Sequence, residues 1–305
     1  MAEDSQYKGE LWNKRAIKLL NLFSWDMIGD SGMDLEGSDG EKYGIDSLYS
    51  FKDPAKDIPE SLILEAKSYK TTSFNKSKLQ EWIDRLNVKI LELRNSEYLI
   101  ERFPIFKDIS TLKIGLIFIW FDDIENYKVY RPKFLEILSE IKVSSRTFRN
   151  GVYNKIYVID NDLISKLCSL YTVIKEFNEN FKFYYPSAFI HERAVQRSAI
   201  LSLDYFFSKF ILGQLKSSGK RYDTNIVFYW GELDMRSFEM LKSILKSYSF
   251  VDQEFKLVIY KYKRDDDEFR KILPQIKKSY ENENIEFDIK DMNSCTELPT
   301  FIIND

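Results

Sequence analysis

A chain of 305 residues, 44% hydrophobic and 15% aromatic, can bury a substantial core and has room for two domains. Its net charge of −3 excludes a generally basic nucleic-acid coat, so any such contact must be local. Two cysteines, Cys168 and Cys295, exclude a disulfide scaffold, and one histidine, His191, excludes chemistry that needs several imidazoles. The acidic start, Met1 to Ser5, is unlike a signal peptide, and no apolar run is long enough to span a membrane. A cytoplasmic protein with reduced thiols and no membrane association is expected.

Residues 10 to 24 predict an amphipathic helix, with Trp12, Ala16, Leu19, Leu20 and Phe23 on one face. Residues 26 to 42, rich in Gly and Asp, read as a loop with little that could pack. Strand-like runs follow at Tyr43 to Phe51 and Ser61 to Lys67. A helix capped by Asn75 or Ser77 runs to Arg94, burying Leu79, Trp82, Ile83, Leu86 and Ile90. Leu112 to Phe121 has the unbroken apolarity of a strand covered on both sides. A short helix from Pro132 to Lys142, a strand from Lys155 to Ile159 and a helix from Asp162 to Phe177 complete an α/β region, expected to be a domain over 1–180.

The aromatic stretch Phe181 to Pro186 marks a boundary, and residues 181–305 are expected to form a second, smaller α/β domain. It predicts a helix from His191 to Leu215, a linker at 216–220, and strands at Asn225 to Trp230, Phe255 to Tyr262, Ile285 to Ile289 and Thr300 to Ile303. Helices are expected at Met235 to Ser247 and Asp266 to Tyr280. It lacks a Gly-rich phosphate loop. The alternation Tyr260-Lys261-Tyr262-Lys263-Arg264 suits either a nucleic-acid contact or an edge strand guarded by lysines. A recognition or assembly module is the expectation.

The chemistry concentrates in Gly44-Ile45-Asp46 and Glu65-Ala66-Lys67. Alternate residues of a strand share a face, so Glu65 and Lys67 project together. If the two runs are neighbours, Asp46 joins them, and two carboxylates with an amine can hold a divalent cation and a water. Three other acid-x-lysine triplets occur: Glu140-Ile141-Lys142, Glu254-Phe255-Lys256 and Asp288-Ile289-Lys290. The first lies in a predicted helix, where a spacing of two separates the side chains. The second begins a strand, and the third has no Gly-x-Asp strand closely before it. The alternative for Asp46, Glu65 and Lys67 is a salt-bridged strand end without catalysis.

Gly9-Glu10, Gly44-Ile45-Asp46 and Glu65-Ala66-Lys67 resemble the active-site signature of the PD-(D/E)XK nucleases, the restriction-endonuclease-like superfamily. The resemblance implies an α/β fold with a restriction-endonuclease-like αβββαβ core. It implies that Asp46, Glu65 and the Ala66 carbonyl bind Mg2+, with Mn2+ as a substitute. Lys67 would orient the attacking water, and Glu10 would hold a metal-bound water. For Glu10 the alternative is a charge complementing the helix dipole. Ile45 stands where the fullest pattern has proline, and Asp84, four residues after Gln80, departs from the RecB-type pattern. Lys70, Thr72, Lys76, Lys78 and Gln80 suit a phosphate backbone by charge and hydroxyl or amide donors.

The expected function is therefore an Mg2+-dependent nuclease cutting phosphodiester bonds in DNA. The whole chain looks like the nuclease subunits of bacterial anti-phage defence systems, which implies a companion subunit, a homo-oligomer, or both. A non-catalytic nucleic-acid-binding or assembly subunit and an RNA-directed nuclease are the alternatives.

Overall fold

The computed structural model describes residues 2–54, 59–107, 112–143, 153–186, 196–216, 223–251, 256–262 and 267–304. The chain divides into two compact units, Met1–Ile164 with Pro299–Asp305, and Ser165–Leu298.

The first unit opens with helix α1 (Ala2–Asn21) and strand β1 (Asp26–Ile28). A hairpin of β2 (Met33–Glu36) and β3 (Lys42–Ile45) forms its own two-stranded sheet. Then come β4 (Ser47–Phe51), β5 (Glu60–Tyr69), α2 (Lys76–Arg94), α3 (Glu97–Arg102), β6 (Ile114–Phe121), α4 (Ile124–Ser139) and β7 (Lys155–Ile159), and the chain passes into the second unit within α5 (Asn161–Ile174). The main sheet has the order β1-β4-β5-β6-β7. Pairing is antiparallel from β1 to β5 and parallel from β5 to β7. The sequence α1, β1, β4, β5, α2, β6 is an αβββαβ core into which the β2–β3 hairpin is inserted. This bears out the expected restriction-endonuclease-like architecture.

The two faces of the sheet are covered by different helices. Ile63 of β5 and Ile117, Ile119 and Phe121 of β6 share a buried cluster with Leu79, Trp82, Ile83, Leu86, Ile90 and Leu93 of α2 and Phe134 of α4. Burial of each large side chain stabilises the fold by about 1.5–3 kcal/mol. The alternate residues of β6 face α1, where Trp12 Nε1 donates to the Phe118 carbonyl and its ring stacks on Trp120 at 5.4 Å. Strand β6 is buried along its whole length, as its apolarity predicts.

Helix α2 begins where Asn75 caps it, the side chain accepting from Lys78 N at 2.9 Å. Gly115 of β6 fixes how closely α2 can approach, since a Cβ there would lie 2.6 Å from Leu86 Cδ2.

Several predicted boundaries are corrected. Residues 26–42 are not an open loop but hold β1, β2 and the start of β3, with Met33 and Leu35 buried. Gly29, Gly32 and Gly40 supply the positive-φ turns that let these short strands reverse. The run Tyr43 to Phe51 is two strands in two sheets, broken at Asp46. Helix α4 starts well before Pro132, which lies inside it. The C-terminal Thr300–Ile303 is a short helix, α9, not a strand.

The second unit continues with β8 (Phe181–Tyr185), β9 (Gln196–Ser198), the short helix α6 (Leu203–Phe206), β10 (Phe210–Leu215), β11 (Thr224–Tyr229), α7 (Met235–Ser247), β12 (Lys256–Tyr262), α8 (Asp267–Glu281) and β13 (Phe287–Met292). Its sheet runs β13-β12-β11-β10-β8-β9, with β11, β12 and β13 parallel and joined through α7 and α8. The expected long helix after His191 is corrected over 196–215, where β9, α6 and β10 stand. Residues 191–195, with His191, lie outside the described residues. Strand β12 is interior rather than an edge, and Lys261 is buried with its ammonium 3.8 Å from the Phe269 ring centre. Lys261 is therefore neither an edge guard nor a surface contact.

Candidate active site

The site forms where β4 begins and the antiparallel β5 runs on past it. Ser47 pairs with Leu64, so β5 beyond Glu65 keeps β6 on one side and loses its strand partner on the other. The chain turns away at Asp46 toward the hairpin. Ala66 thus has no backbone partner on that edge, and its N–H instead donates to Asp46 Oδ2 at 2.7 Å. The Ala66 carbonyl leaves the strand on the same side as its N–H.

Glu65 and Lys67 extend the α2-facing side of β5 past Ile63. Lys67 Nζ lies 2.7 Å from Glu65 Oε2 and 3.6 Å from Asp46 Oδ2. The three residues predicted to converge therefore do so, with the lysine between the acids. The Asp46 backbone is fixed as well. Its carbonyl accepts from Gly32 N at 2.9 Å, from Asn13 Nδ2 at 3.2 Å and from Ser47 Oγ at 2.6 Å. Three segments (α1, the turn before β2 and the start of β4) hold the acid at the strand break.

The protonation states follow from burial and neighbours. Burial raises the Asp46 carboxyl above its usual range, and Lys67 only partly offsets this. Burial also pushes Glu65 upward, but the ammonium groups of Lys67 and Lys89 outweigh it and leave Glu65 below its usual value. Desolvation works against the Lys67 ammonium, yet Glu65 and Asp46 raise it overall. The two acids thus hold Lys67 as a cation, suited to donating hydrogen bonds.

The remaining predicted residues are distributed differently. Glu10 is exposed on α1, and the α1 residue that reaches Asp46 is Asn13, one turn later. Lys76 pairs with Glu140 at 2.7 Å. Gln80 donates to the Lys142 carbonyl and accepts from the Lys142 N–H, at 2.6 and 3.1 Å, so it latches a loop to α2. Lys78 lies over the Tyr69 ring at 4.7 Å, while Lys70 and Thr72 are exposed, one capping and the other within the 3-10 turn Thr71–Ser73. The acidic segment from Asp30 to Glu41 is folded against α2 and α3. Ser38 bonds Glu92 through both N–H and hydroxyl, and Ser96 Oγ donates to Glu36 O at 2.6 Å.

Sequence reasoning missed Lys89 as a site residue. Its ammonium is 2.5 Å from both Glu65 Oε1 and the Gly44 carbonyl. The available signal was its place on α2, between Leu86 and Ile90 at the rim of the buried stripe.

The donor set fits a hard divalent cation. Asp46, Glu65 and the Ala66 carbonyl offer only oxygen, and no histidine or cysteine stands among these residues. Among the described residues no group of three or more His, Cys, Asp or Glu side chains converges, so an ion here would keep several waters. Asn13 Oδ1, buried without a hydrogen-bond partner, is an acceptor suited to such a water.

A family comparison covers the stretch of chain that contains these residues. The model of the GAPS4 protein PD-(D/E)XK nuclease domain matches residues 1–163. The chain belongs to this family. The match bears out the PD-(D/E)XK resemblance, and it makes the first unit a nuclease domain. No curated protein matches the chain. Among the described residues no helix is long and apolar enough to cross a membrane.

Proposed function

We propose that this GAPS4-family chain is a divalent-metal-dependent nuclease that hydrolyses phosphodiester bonds in DNA. We further propose that it serves anti-phage defence together with a companion subunit or a second copy of itself. The observation that carries the catalytic reading is Lys67 held between Asp46 and Glu65 at the unpaired edge of β5. A strand end held only by salt bridges gives no reason for Asp46 to be acidic, because burial raises its pKa and a neutral residue would relieve that cost.

Asp46, Glu65 and the Ala66 carbonyl would hold the Mg2+ or Mn2+ ion. That ion supplies charge neutralisation at the phosphate and acidifies water bound to it. Lys67, as a fixed cation, orients a water or hydroxide by a charge-assisted hydrogen bond and stabilises negative charge on the phosphate. Asn13, Gly32 and Ser47 keep Asp46 in register by holding its carbonyl. Lys70, Thr72 and Lys78, beside the C-terminal end of β5, would contact a nucleic-acid backbone without regard to sequence.

The test is incubation of purified protein, with and without its operon neighbour, with supercoiled, linear and single-stranded DNA and with RNA. Cleavage of DNA that requires Mg2+ or Mn2+ supports the reading. Cleavage confined to RNA corrects the substrate. No cleavage of any of them in either preparation favours a binding or assembly subunit.

A further inference from the structure

Glu65 is held by two lysines, one on each oxygen. Lys67 takes Oε2 and Lys89 takes Oε1, and Lys89 also spans to the Gly44 carbonyl of β3. The Glu65 side chain is only 10% exposed and that of Lys89 19%, so the pairing is largely shielded from water. Two carboxylates therefore face two ammonium groups, and the cluster is electrically balanced without any metal.

A divalent cation entering this cluster needs a lone pair of Glu65 and adds two positive charges. Its charge repels both ammonium groups on Glu65, so the more weakly held lysine is the one to withdraw. Lys67 is the poorer candidate, since it lies on β5 itself and also contacts Asp46. Lys89 reaches in from α2 along a flexible four-carbon stem, and its remaining partner is a single main-chain carbonyl.

Resting on the nuclease reading above, we propose that Lys89 is a positioning residue that holds the place of the divalent cation. In the metal-free protein its ammonium neutralises Glu65 and ties the hairpin to α2, keeping the two carboxylates from repelling each other. Cation binding displaces it from Glu65 Oε1. Lys89 thereby lowers metal affinity while keeping the empty site assembled.

The test is titration of full-length protein with Mn2+ by calorimetry, comparing wild type, Lys89→Met, Lys89→Gln and Asp46→Asn, with thermal unfolding in EDTA as a check on folding. Removing the competing cation should tighten Mn2+ binding on the order of tenfold in Lys89→Met. The Gln variant, which keeps a neutral donor, should tighten it similarly. A residue that only supported the fold would leave affinity unchanged or weaken it. Unchanged or weaker Mn2+ binding in both variants overturns the proposal. So does loss of folding in both, because the ammonium would then be structural and not exchangeable. Asp46→Asn separates the layers. If it binds Mn2+ as wild type does, the nuclease-site reading itself fails. If it loses binding while the Lys89 variants do not tighten, only the place-holder role fails.

Discussion

Asp46 has two separable jobs, and two substitutions distinguish them. Its Oδ2 accepts the Ala66 N–H at 2.7 Å, and its charge is the second carboxylate of the site. Asp46→Asn keeps an oxygen for the Ala66 N–H and removes the charge. Asp46→Ala removes both. An N–H left without its acceptor costs about 1–3 kcal/mol when buried. The Asp46 side chain is 32% exposed, so water partly replaces the acceptor and about 1–2 kcal/mol is expected. A unit of this size shifts its midpoint by roughly 2–4 °C per kcal/mol, which puts Asp46→Ala about 2–8 °C below Asp46→Asn in EDTA. Because burial raises the Asp46 carboxyl, its charge is a net cost in the metal-free fold, and Asp46→Asn should melt at or above wild type. Differential scanning calorimetry in EDTA and again with Mn2+ reads both effects. Wild type should gain stability from the ion, and neither variant should. A wild-type-sized gain in Asp46→Asn, or an Asn variant as unstable as the Ala variant, would refute this reasoning.

Lys67→Met keeps the stem and removes the ammonium. Cleavage should fall by about two to three orders of magnitude, the range for losing one preorganised donor, with nucleic-acid binding in Ca2+ nearly unchanged in a filter-binding assay. Asn13→Ala removes one of the three donors to the Asp46 carbonyl. It should lower the cleavage rate about tenfold with a stability loss near 1 kcal/mol, read by single-turnover kinetics and denaturant unfolding. Glu65 is held below its usual carboxyl range by its two lysines, so its contribution is present above the ordinary Glu value near 4.3 and lost as pH falls through the folded-state value. Glu65→Gln should therefore flatten the acid limb of the melting-temperature profile in EDTA. Gly115→Ala should destabilise the first unit by about 1–3 kcal/mol, because the new methyl meets Leu86 and Ile90, and calorimetry reads it directly.

The elements that carry the site were legible because their patterns are local. The buried run of β6, the stripe of α2 with its Asn75 cap, and the alternation of Glu65 and Lys67 each follow from a few neighbouring residues. The break at Asp46 was not legible. The apolar residues on both sides of Asp46 continue a strand pattern, and only pairing decides that β3 and β4 belong to different sheets. The three-residue β1 was hidden in a segment whose composition signals turns, and its existence depends on pairing with β4. Asn13, one turn after Glu10 on α1, was not legible as a contact to Asp46, because an uncharged amide bonding a main-chain oxygen leaves no signal in the sequence. Lys89 lies 24 residues from Glu65 on another element, and no spacing rule connects them.

The most direct measurement of the central claim is the single-turnover rate of DNA cleavage in Mg2+ by wild type and by Asp46→Asn, with folding of both verified. The site described here predicts cleavage by wild type that EDTA abolishes, and none above background for Asp46→Asn. Cleavage by the folded Asp46→Asn variant at the wild-type rate would contradict it and move the chemistry elsewhere in the chain.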